Sequence, residues 1–170
     1  MQLKPGVSQS SVTRTSRLRE AVKTTVYPFA ESRGFVRTKA RNGRLVTFRR
    51  PTAGTMQLFD IQWQKYGAPS FVVNIGECPL SGIDMIDIGH VPAEAAQAGW
   101  CLRSGRLQRE RGPFGWFKLR KPLLKAIATF QWWYSPEEVT HQVIEYFDEV
   151  EQWWSDKKEG PHLYFIHRPG

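Results

Sequence analysis

The stretch FDIQWQKYGAPSFVVNIG, residues 59–76, decides the fold class because apolar residues occupy every second position of both its arms. A period of two is typical of a β-strand that buries one face. Between the arms, YGAPS contains Gly and Pro, which favour a turn. The stretch therefore predicts an antiparallel hairpin at the centre of a sheet. Its predicted core face is Phe59, Ile61, Trp63, Phe71, Val73 and Ile75.

The opposite face of this hairpin carries carboxamides, and the predicted register places Gln62 opposite Asn74 and Trp63 opposite Val73. Two carboxamides in that position hydrogen-bond across the sheet without any ligand. The alternative is a binding surface whose polar floor is completed by arginines of a later strand. That candidate binding surface consists of Gln62, Gln64, Asn74, Arg103 and Arg106, and Asp60 joins the same face if the protein is an enzyme.

The residues before the hairpin predict an amphipathic helix followed by strands. The helix covers residues 16–30, is ended or kinked by Pro28, and has Gly34 as its C-cap. Asn42 and Gly43 both tolerate positive φ, so this dipeptide predicts a hairpin turn, and PTAG at 51–54 predicts the next turn. The apolar face of the helix is Leu18, Val22, Val26 and Phe29.

The residues after the hairpin are less regular. Residues 77–99 predict an irregular connection with a short helical piece after Pro92. WCLRSGRLQ at 100–108 and GPFGWFKLR at 112–120 predict further strands. The next segment is ambiguous, because residues 129–134 favour a strand. Helical spacing is shown by Leu123, Leu124, Ile127 and Phe130.

The final helix has the clearest boundary signals. Ser135 is a predicted N-cap, Pro136 suits the first helical position, and Glu138 completes a capping box. Gly160 is the predicted C′ residue, and HLYFIH at 162–167 predicts a closing strand or a packed tail. The apolar face of the helix is Val139, Val143, Phe147, Val150 and Trp154. One tryptophan of each adjacent pair, 132–133 and 153–154, is expected at the surface or under the tail.

The order helix, strands, helix predicts an α+β fold: an antiparallel β-sheet meander packed by an N-terminal helix and a long C-terminal helix. The length of 170 residues suits one domain over residues 1–170, and 41% hydrophobic residues suffice for a substantial core. Residues 1–13 are the predicted flexible lead-in, and residues 161–170 are the predicted C-terminal strand or packed tail.

The composition argues for a cytoplasmic protein that does not act within a membrane. No window approaches the roughly 18 consecutive apolar residues of a membrane span, and the first 20 residues have no apolar region of the secretory type. Two cysteines, Cys78 and Cys101, are too few for a disulfide scaffold and are expected to be free thiols in a reducing compartment. A disulfide bond between Cys78 and Cys101 is the alternative.

Motifs of common enzyme classes are missing from the sequence. It contains neither of the two common glycine-rich phosphate-binding loops, G-x-x-x-x-G-K-[ST] and G-x-G-x-x-G. It also lacks a G-x-S-x-G elbow and an H-E-x-x-H pair. His162 and His167 would point to opposite faces of an extended strand, which disfavours a shared metal. Asp60 and Lys65 resemble part of a nuclease motif, but Trp63 stands where such motifs have an acid or amide. We therefore expect no catalytic residue, no metal and no cofactor.

The net charge of +8 is unevenly distributed along the chain. Residues 1–50 hold twelve Lys and Arg against two acids, and residues 101–125 hold eight against one, whereas the two other segments are acidic. Basic clusters beside aromatic residues suit an acidic protein face or single-stranded nucleic acid, and they also suit the solvated face of an ordinary sheet. The predicted basic patch is Arg37, Lys39, Arg41, Arg44, Arg49, Arg50, Arg109, Arg111, Lys118, Arg120 and Lys121.

Several short motifs resemble a bacterial family of domains of unknown function, number forty-three-oh-four in that series. The similarity covers roughly residues 14–156, and the chain departs from it in the basic segment 109–125. The resemblance implies no established activity, although small bacterial domains of this kind are often immunity proteins encoded beside toxins. The matching residues are Gly34, Phe35, Gln62, Gln64, Phe71, Val73, Asn74, Gly76, Arg103, Arg106, Trp132 and Trp133.

The sequence thus predicts a non-enzymatic binding protein of the bacterial cytoplasm with a protein partner, of the type represented by immunity proteins that neutralise a toxin. The alternative is a nucleic-acid-binding protein that uses the two basic clusters. The third hypothesis is an enzyme of unrecognised type, with its pocket on the carboxamide face.

Overall fold

The computed structural model describes residues 13–38 and 45–165, so the predicted lead-in before Thr13 and the predicted turn at 42–43 lie outside the described residues. The helices are α1 (Arg14–Ala21), α2 (Tyr27–Ser32), α3 (Leu123–Thr129) and α4 (Pro136–Asp156). The strands are β1 (Val36–Thr38), β2 (Leu45–Pro51), β3 (Thr55–Trp63), β4 (Ser70–Pro79), β5 (Ile83–Met85), β6 (Gly89–Val91), β7 (Arg103–Leu107), β8 (Phe117–Lys118) and β9 (Leu163–Tyr164).

The main sheet of the described residues is antiparallel and follows the order β1-β2-β3-β4-β7-β9, with β8 also paired to β4. Strands β1 to β4 form a meander, and β5 and β6 form a separate two-stranded hairpin. Helices α1, α2 and α4 pack together over one face of the main sheet. The predicted α+β class, with its meander and two packing helices, is confirmed.

Pro28 distorts the N-terminal helix without ending it. A π-helical turn, Val22–Val26, joins α1 to α2, and the Tyr27 N–H bonds the Val22 carbonyl five residues back. Proline has no N–H to donate and its ring crowds the preceding turn, so a wider turn lets the helix continue. The helix ends where predicted, because Gly34 adopts a φ of 84° and the Phe35 N–H bonds the Ala30 carbonyl.

The predicted register of the central hairpin is wrong by two residues. Trp63 pairs with Phe71 rather than Val73, and Gln62 pairs with Val72 rather than Asn74. The chain leaves β3 directly after Trp63 and forms a 3-10 turn, Lys65–Gly67, which tightens the loop. Because side chains alternate with a period of two, a shift of two residues keeps every side chain on its predicted face.

The face beneath the helices is an aromatic core. The rings of Phe48 and Phe59 stack with centroids 4.6 Å apart, and Phe147 of α4 meets Phe59 edge-on at 5.2 Å. All six predicted core residues of the central hairpin are buried, the most exposed being Trp63 at 5%. The alternation in the sequence therefore identified the core side of the sheet correctly.

Helix α4 begins as predicted but ends differently. The Ser135 hydroxyl accepts from the Glu138 N–H at 3.1 Å and the Glu138 carboxylate accepts from the Ser135 N–H at 2.6 Å, which is the predicted capping box. The left-handed residue that ends α4 is Lys157, with a φ of 61°, not Gly160. Gly160 instead lies against the Glu149 side chain, which a Cβ at this position would displace.

The tryptophan pairs are arranged differently from each other. Trp132 and Trp133 are both exposed. Trp153 and Trp154 are both buried, because Trp154 faces the aromatic core while Trp153 lies under the tail, 5.1 Å from the Phe165 ring. Within the described residues, the tail pairs with β7 through β9.

A second, smaller core lies on the opposite face of the sheet, under residues 77–101. Cys78 and Cys101 are free, buried thiols within it. The helical piece predicted after Pro92 consists only of turns, followed by a 3-10 turn at Ala98–Trp100. The buried members of this core are Met56, Leu58, Cys78, Val91, Ala93, Ala96, Ala98 and Cys101.

None of the described helices is both long and apolar enough to cross a lipid bilayer.

Replacing Trp63 by alanine should destabilise the fold by about 3–5 kcal/mol, because it removes a buried aromatic ring from the main core. The Trp63 ring packs on Phe71 at 5.0 Å and lies under the Arg19 guanidinium at 4.9 Å. Urea unfolding of the variant measures the loss. Trp132→Ala is the matched control, since Trp132 is 53% exposed and should cost under about 1 kcal/mol. Equal losses for the two variants would contradict the assignment of Trp63 to the core.

Candidate functional site

A row of polar side chains crosses the main sheet on the face away from the helices. Residues directly opposite one another on paired strands point to the same side. The observed register therefore places six side chains in one line across five strand pairings. In order from β1 to β9 this polar row is Thr38, Thr47, Asp60, Asn74, Arg106 and Tyr164.

The carboxamide contact expected from the sequence is present, although by a different geometry. Asn74 Nδ2 donates to Gln62 Oε1 at 2.8 Å. The two residues are diagonal neighbours rather than direct partners, because Asn74 lies opposite Asp60. Long side chains reach across this diagonal easily. Both carboxamides thereby satisfy part of their hydrogen-bonding capacity within the sheet.

The centre of the polar row is covered and largely shielded from solvent. The Ala98 N–H donates to Asp60 Oδ2 at 2.8 Å, and Arg49 donates to the Ala96 carbonyl at 2.7 Å. Small side chains allow this close approach, because a Cβ on Gly76 would lie 2.6 Å from the Ala98 carbonyl oxygen. Asp60 is consequently 1% exposed. The expectation that it lines an open pocket is wrong.

Burial changes the acidity of this carboxyl group. Desolvation raises the pKa of Asp60 from an ordinary 3.8 to about 6, and the Thr47 hydroxyl, the Ala98 N–H and the Arg49 guanidinium offset part of that rise. A carboxyl group with a raised pKa is a common feature of catalytic sites and of purely structural networks. Here the group is sealed under backbone, so its chemistry is available to its protein neighbours rather than to a substrate.

Two other members of the candidate binding surface lie elsewhere. Gln64 follows the end of β3, and its side chain accepts a hydrogen bond from the Ser70 hydroxyl. Arg103 pairs with Glu77 and is three residues from Arg106 on the same strand, so the two arginines point to opposite faces of the sheet. The five predicted residues therefore do not form one surface: the structure brings together only Gln62, Asn74 and Arg106.

Several residues of the predicted basic patch are structural. Arg109 is 7% exposed, donates to Gln142 at 2.7 Å and to the Lys118 carbonyl at 2.8 Å, and stacks on Tyr134 at 4.2 Å. Lys121, also 7% exposed, donates to Thr129 and Gln131. Arg49 is buried against the cover of the polar row. Their exposure as part of a patch is therefore a wrong prediction.

The remaining members of the patch differ in accessibility. Arg50 is half-buried between Gln57 and Glu151, with its guanidinium 4.3 Å from the Phe35 ring centroid. Arg111 is exposed but lies 3.3 Å from the Glu159 carboxylate. Arg37 and Arg120 are exposed and Lys118 is half-buried, whereas Lys39, Arg41 and Arg44 lie outside the described residues.

The largest feature that sequence reasoning missed is an exposed apolar surface on and after α3. In this helix the small Ala126 is buried at 1%, while Leu124 is 82% exposed and Ile127 is 56% exposed. The usual amphipathic arrangement is therefore reversed, with large apolar side chains facing outward. We call this region the α3 surface: Leu123, Leu124, Ile127, Phe130 and Trp132.

The α3 surface is held in a defined position at both ends. The Lys121 N–H donates to the Trp132 carbonyl at 3.0 Å, and Arg120 forms a β-bridge with Trp133. Phe130 ends the helix in a left-handed conformation, with a φ of 52°, which turns its side chain outward to 93% exposure. The helical spacing of these residues was visible in the sequence, but no local signal showed which side faces the protein.

Within the described ranges, no group of three or more His, Cys, Asp or Glu side chains is arranged to hold a metal ion. His167 of the paired histidine motif lies outside those ranges.

No protein-family model, curated protein or solved structure matches the chain. The similarity to the family of unknown function, which rests on short motifs, therefore stays a prediction. The α3 surface and the covered polar row are the features from which a function can be argued.

Replacing Asp60 by asparagine should flatten the dependence of stability on pH between about pH 4 and pH 6. In that window the folded wild type binds a proton that the unfolded chain does not, so its stability falls as the pH rises. The difference between wild type and variant should change by about 2 kcal/mol between pH 4 and pH 6, since each pH unit over which only the folded chain is protonated corresponds to about 1.4 kcal/mol. Urea unfolding at a series of pH values measures it.

Asp87→Asn is the control for this prediction, because it makes the same substitution at an exposed carboxylate. Parallel curves for wild type and Asp60→Asn would show that Asp60 has an ordinary acidity.

Proposed function

We propose that the chain is a non-enzymatic binding protein that docks a protein partner on the α3 surface. The observation that carries this proposal is the outward orientation of five large apolar side chains on one short, anchored segment. Contiguous exposed apolar patches on folded proteins commonly mark protein interfaces. A segment that served only the stability of the fold would turn these side chains inward.

The energetic gain from covering the α3 surface is large enough for specific binding. Burying one large apolar side chain contributes about 1.5–3 kcal/mol. Five such residues outweigh the several kcal/mol that association costs in lost freedom of motion, provided that the partner packs closely. Phe130 and Trp132 are of the residue class that dominates interface energetics. The anchored backbone reduces the cost of ordering the segment when it binds.

The charges around the α3 surface indicate an acidic partner. Arg120 and Lys125 are exposed beside it, and the Arg14 guanidinium lies 3.9 Å from the centroid of the neighbouring Trp133 ring. Residues 109–133 contain six basic residues and a single acid, Glu110. A positive rim around an apolar centre steers a partner with a negative rim and speeds its association.

The proposal includes the narrower role suggested by the sequence resemblance. In that role the protein is an immunity protein of the bacterial cytoplasm, and the partner is a toxin with an acidic face and an apolar centre. The contacts of Arg49, Arg109 and Lys121 within the fold weigh against the alternative of nucleic-acid binding, because these cations are engaged by protein groups. The sealed position of Asp60 weighs against an enzyme that works on the polar row.

The double variant Leu124→Ser/Ile127→Ser should lose partner binding while it keeps its fold. Lysate of the native host, with and without nuclease treatment, is passed over immobilised wild type and variant, and the retained proteins are quantified by mass spectrometry. The expected partner is a protein that wild type retains and the variant does not. After it has been purified, this protein should bind to wild type again. Its association rate should fall as salt rises.

Ile86→Ser/Ile88→Ser is the matched control, because it also replaces two exposed aliphatic side chains, in a different part of the molecule. It should retain at least as much partner as wild type does. If no protein distinguishes wild type from the α3 variant, the proposed function is wrong. If binding disappears only on nuclease treatment, the nucleic-acid alternative replaces it.

A further inference from the structure

A second exposed apolar feature lies at the tip of the β5–β6 hairpin. Ile83 and Met85 pack against the smaller core, so the hairpin is fixed on the sheet. The turn between its strands consists of Ile86, Asp87 and Ile88, with Ile86 fully exposed and Ile88 57% exposed. Turns normally carry Gly, Asn, Asp, Ser or Pro for conformational reasons, so two isoleucines here are unusual. We call these three residues the hairpin tip.

The hairpin tip is held in place by its base. Gly89 adopts a φ of 74°, as a tight turn of this kind requires, and it directly follows the tip. Asp84 Oδ1 and His90 Nδ1 lie 2.8 Å apart across the hairpin. Gly82 lies so close to the Val91 carbonyl that any Cβ would collide with it. The two isoleucines are thus presented by a defined structure.

The hairpin tip and the α3 surface have opposite charges around them. No Lys or Arg occurs between Lys65 and Arg103, whereas Asp84, Asp87 and Glu94 are all exposed within that span. The α3 surface is flanked by Arg120 and Lys125. An apolar tip with an acidic rim therefore matches an apolar surface with a basic rim.

These two features are attached to opposite ends of the same strand. Strand β8, which leads into α3, pairs with Ser70 and Phe71 at the beginning of β4. The hairpin follows Pro79, at the end of β4. At about 3.3 Å per residue, the length of β4 separates the two attachment points by about 30 Å. The hairpin of one molecule can accordingly reach the α3 surface of another while its own α3 surface stays free.

We propose that the protein associates with itself head to tail, with the hairpin tip of one copy docked on the α3 surface of a second copy. Ile86 and Ile88 pack among the exposed Leu124, Ile127 and Phe130 of the second molecule. The acidic residues of the tip approach Arg120 and Lys125. Because the contact joins two different surfaces, each added copy presents a new free surface, and the assembly grows as a ring or an open chain.

This inference rests on the proposed function in one respect, since it names a partner for the same α3 surface. A second copy and an external partner then compete for that surface. Self-association keeps the apolar residues covered until a partner with higher affinity displaces the hairpin tip.

The test is a mixing experiment in analytical ultracentrifugation with two double variants. Ile86→Ser/Ile88→Ser lacks the tip but keeps its α3 surface, and Leu124→Ser/Ile127→Ser lacks the α3 surface but keeps its tip. Wild type should form species larger than a monomer as its concentration rises. Each variant alone should have a dissociation constant at least about tenfold weaker, in line with the loss of two buried isoleucines or leucines. An equimolar mixture should give a dimer and nothing larger.

Raising the salt concentration should weaken the wild-type assembly, and circular dichroism with thermal melting shows that both variants are folded. A wild type that stays monomeric at every concentration would overturn the inference. So would a tip variant that still associates with itself, since that result indicates a symmetric α3–α3 contact. An equimolar mixture of the two variants that remains monomeric would overturn the inference as well.

The proposed function is judged separately by the external partner. If wild type retains a partner that the α3 variant loses, the proposed function stands. This holds whether the tip variant is monomeric or still associates with itself. If the mixed variants dimerise but no external partner is found, self-association stands and the proposed function fails.

Discussion

The pairing of β3 with β4 over nine residue pairs determines which side chains meet on each face of the protein. It brings Phe59 beside Ile75 on the helix side and Asp60 beside Asn74 on the other side. This one register determines which side chains form the aromatic core and which form the polar row. It also sets the positions at which β8 and the β5–β6 hairpin join β4. A shift by one residue would place Asp60 among the phenylalanines and is excluded by the cost of burying a charge there.

The sequence predicted the features that depend on residues close together in the chain, and it missed the features that depend on residues far apart in the chain. The capping box at Ser135 and the alternation around Trp63 involve neighbours a few residues apart, and both were predicted correctly. The contact of Ala98 with Asp60 joins residues 38 positions apart, so the cover of the polar row was not visible in the local pattern. The orientation of α3 likewise depends on what the rest of the chain leaves uncovered, and helical spacing alone indicates a face without saying where it points.

The arginines show why a charge map made from sequence overstates the surface. Arg50 spans Glu151, Gln57 and the Phe35 ring, and Arg109 lies on Tyr134 while it donates to two other groups. A planar guanidinium with five donors suits such positions, where it combines hydrogen bonds with stacking. Much of the positive charge predicted for a ligand instead holds helices and loops on the sheet. Arg120 and Lys125, beside the α3 surface, are exposed instead.

The outermost strands of the main sheet, as far as it is described, are short: β1 has three residues and β9 has two. The described parts of these two strands offer few unpaired amide and carbonyl groups to a neighbouring molecule. The contacts proposed above between molecules are made by side chains instead. Assemblies built in that way dissolve on dilution or with added salt, whereas fibrils built on a shared backbone ladder persist.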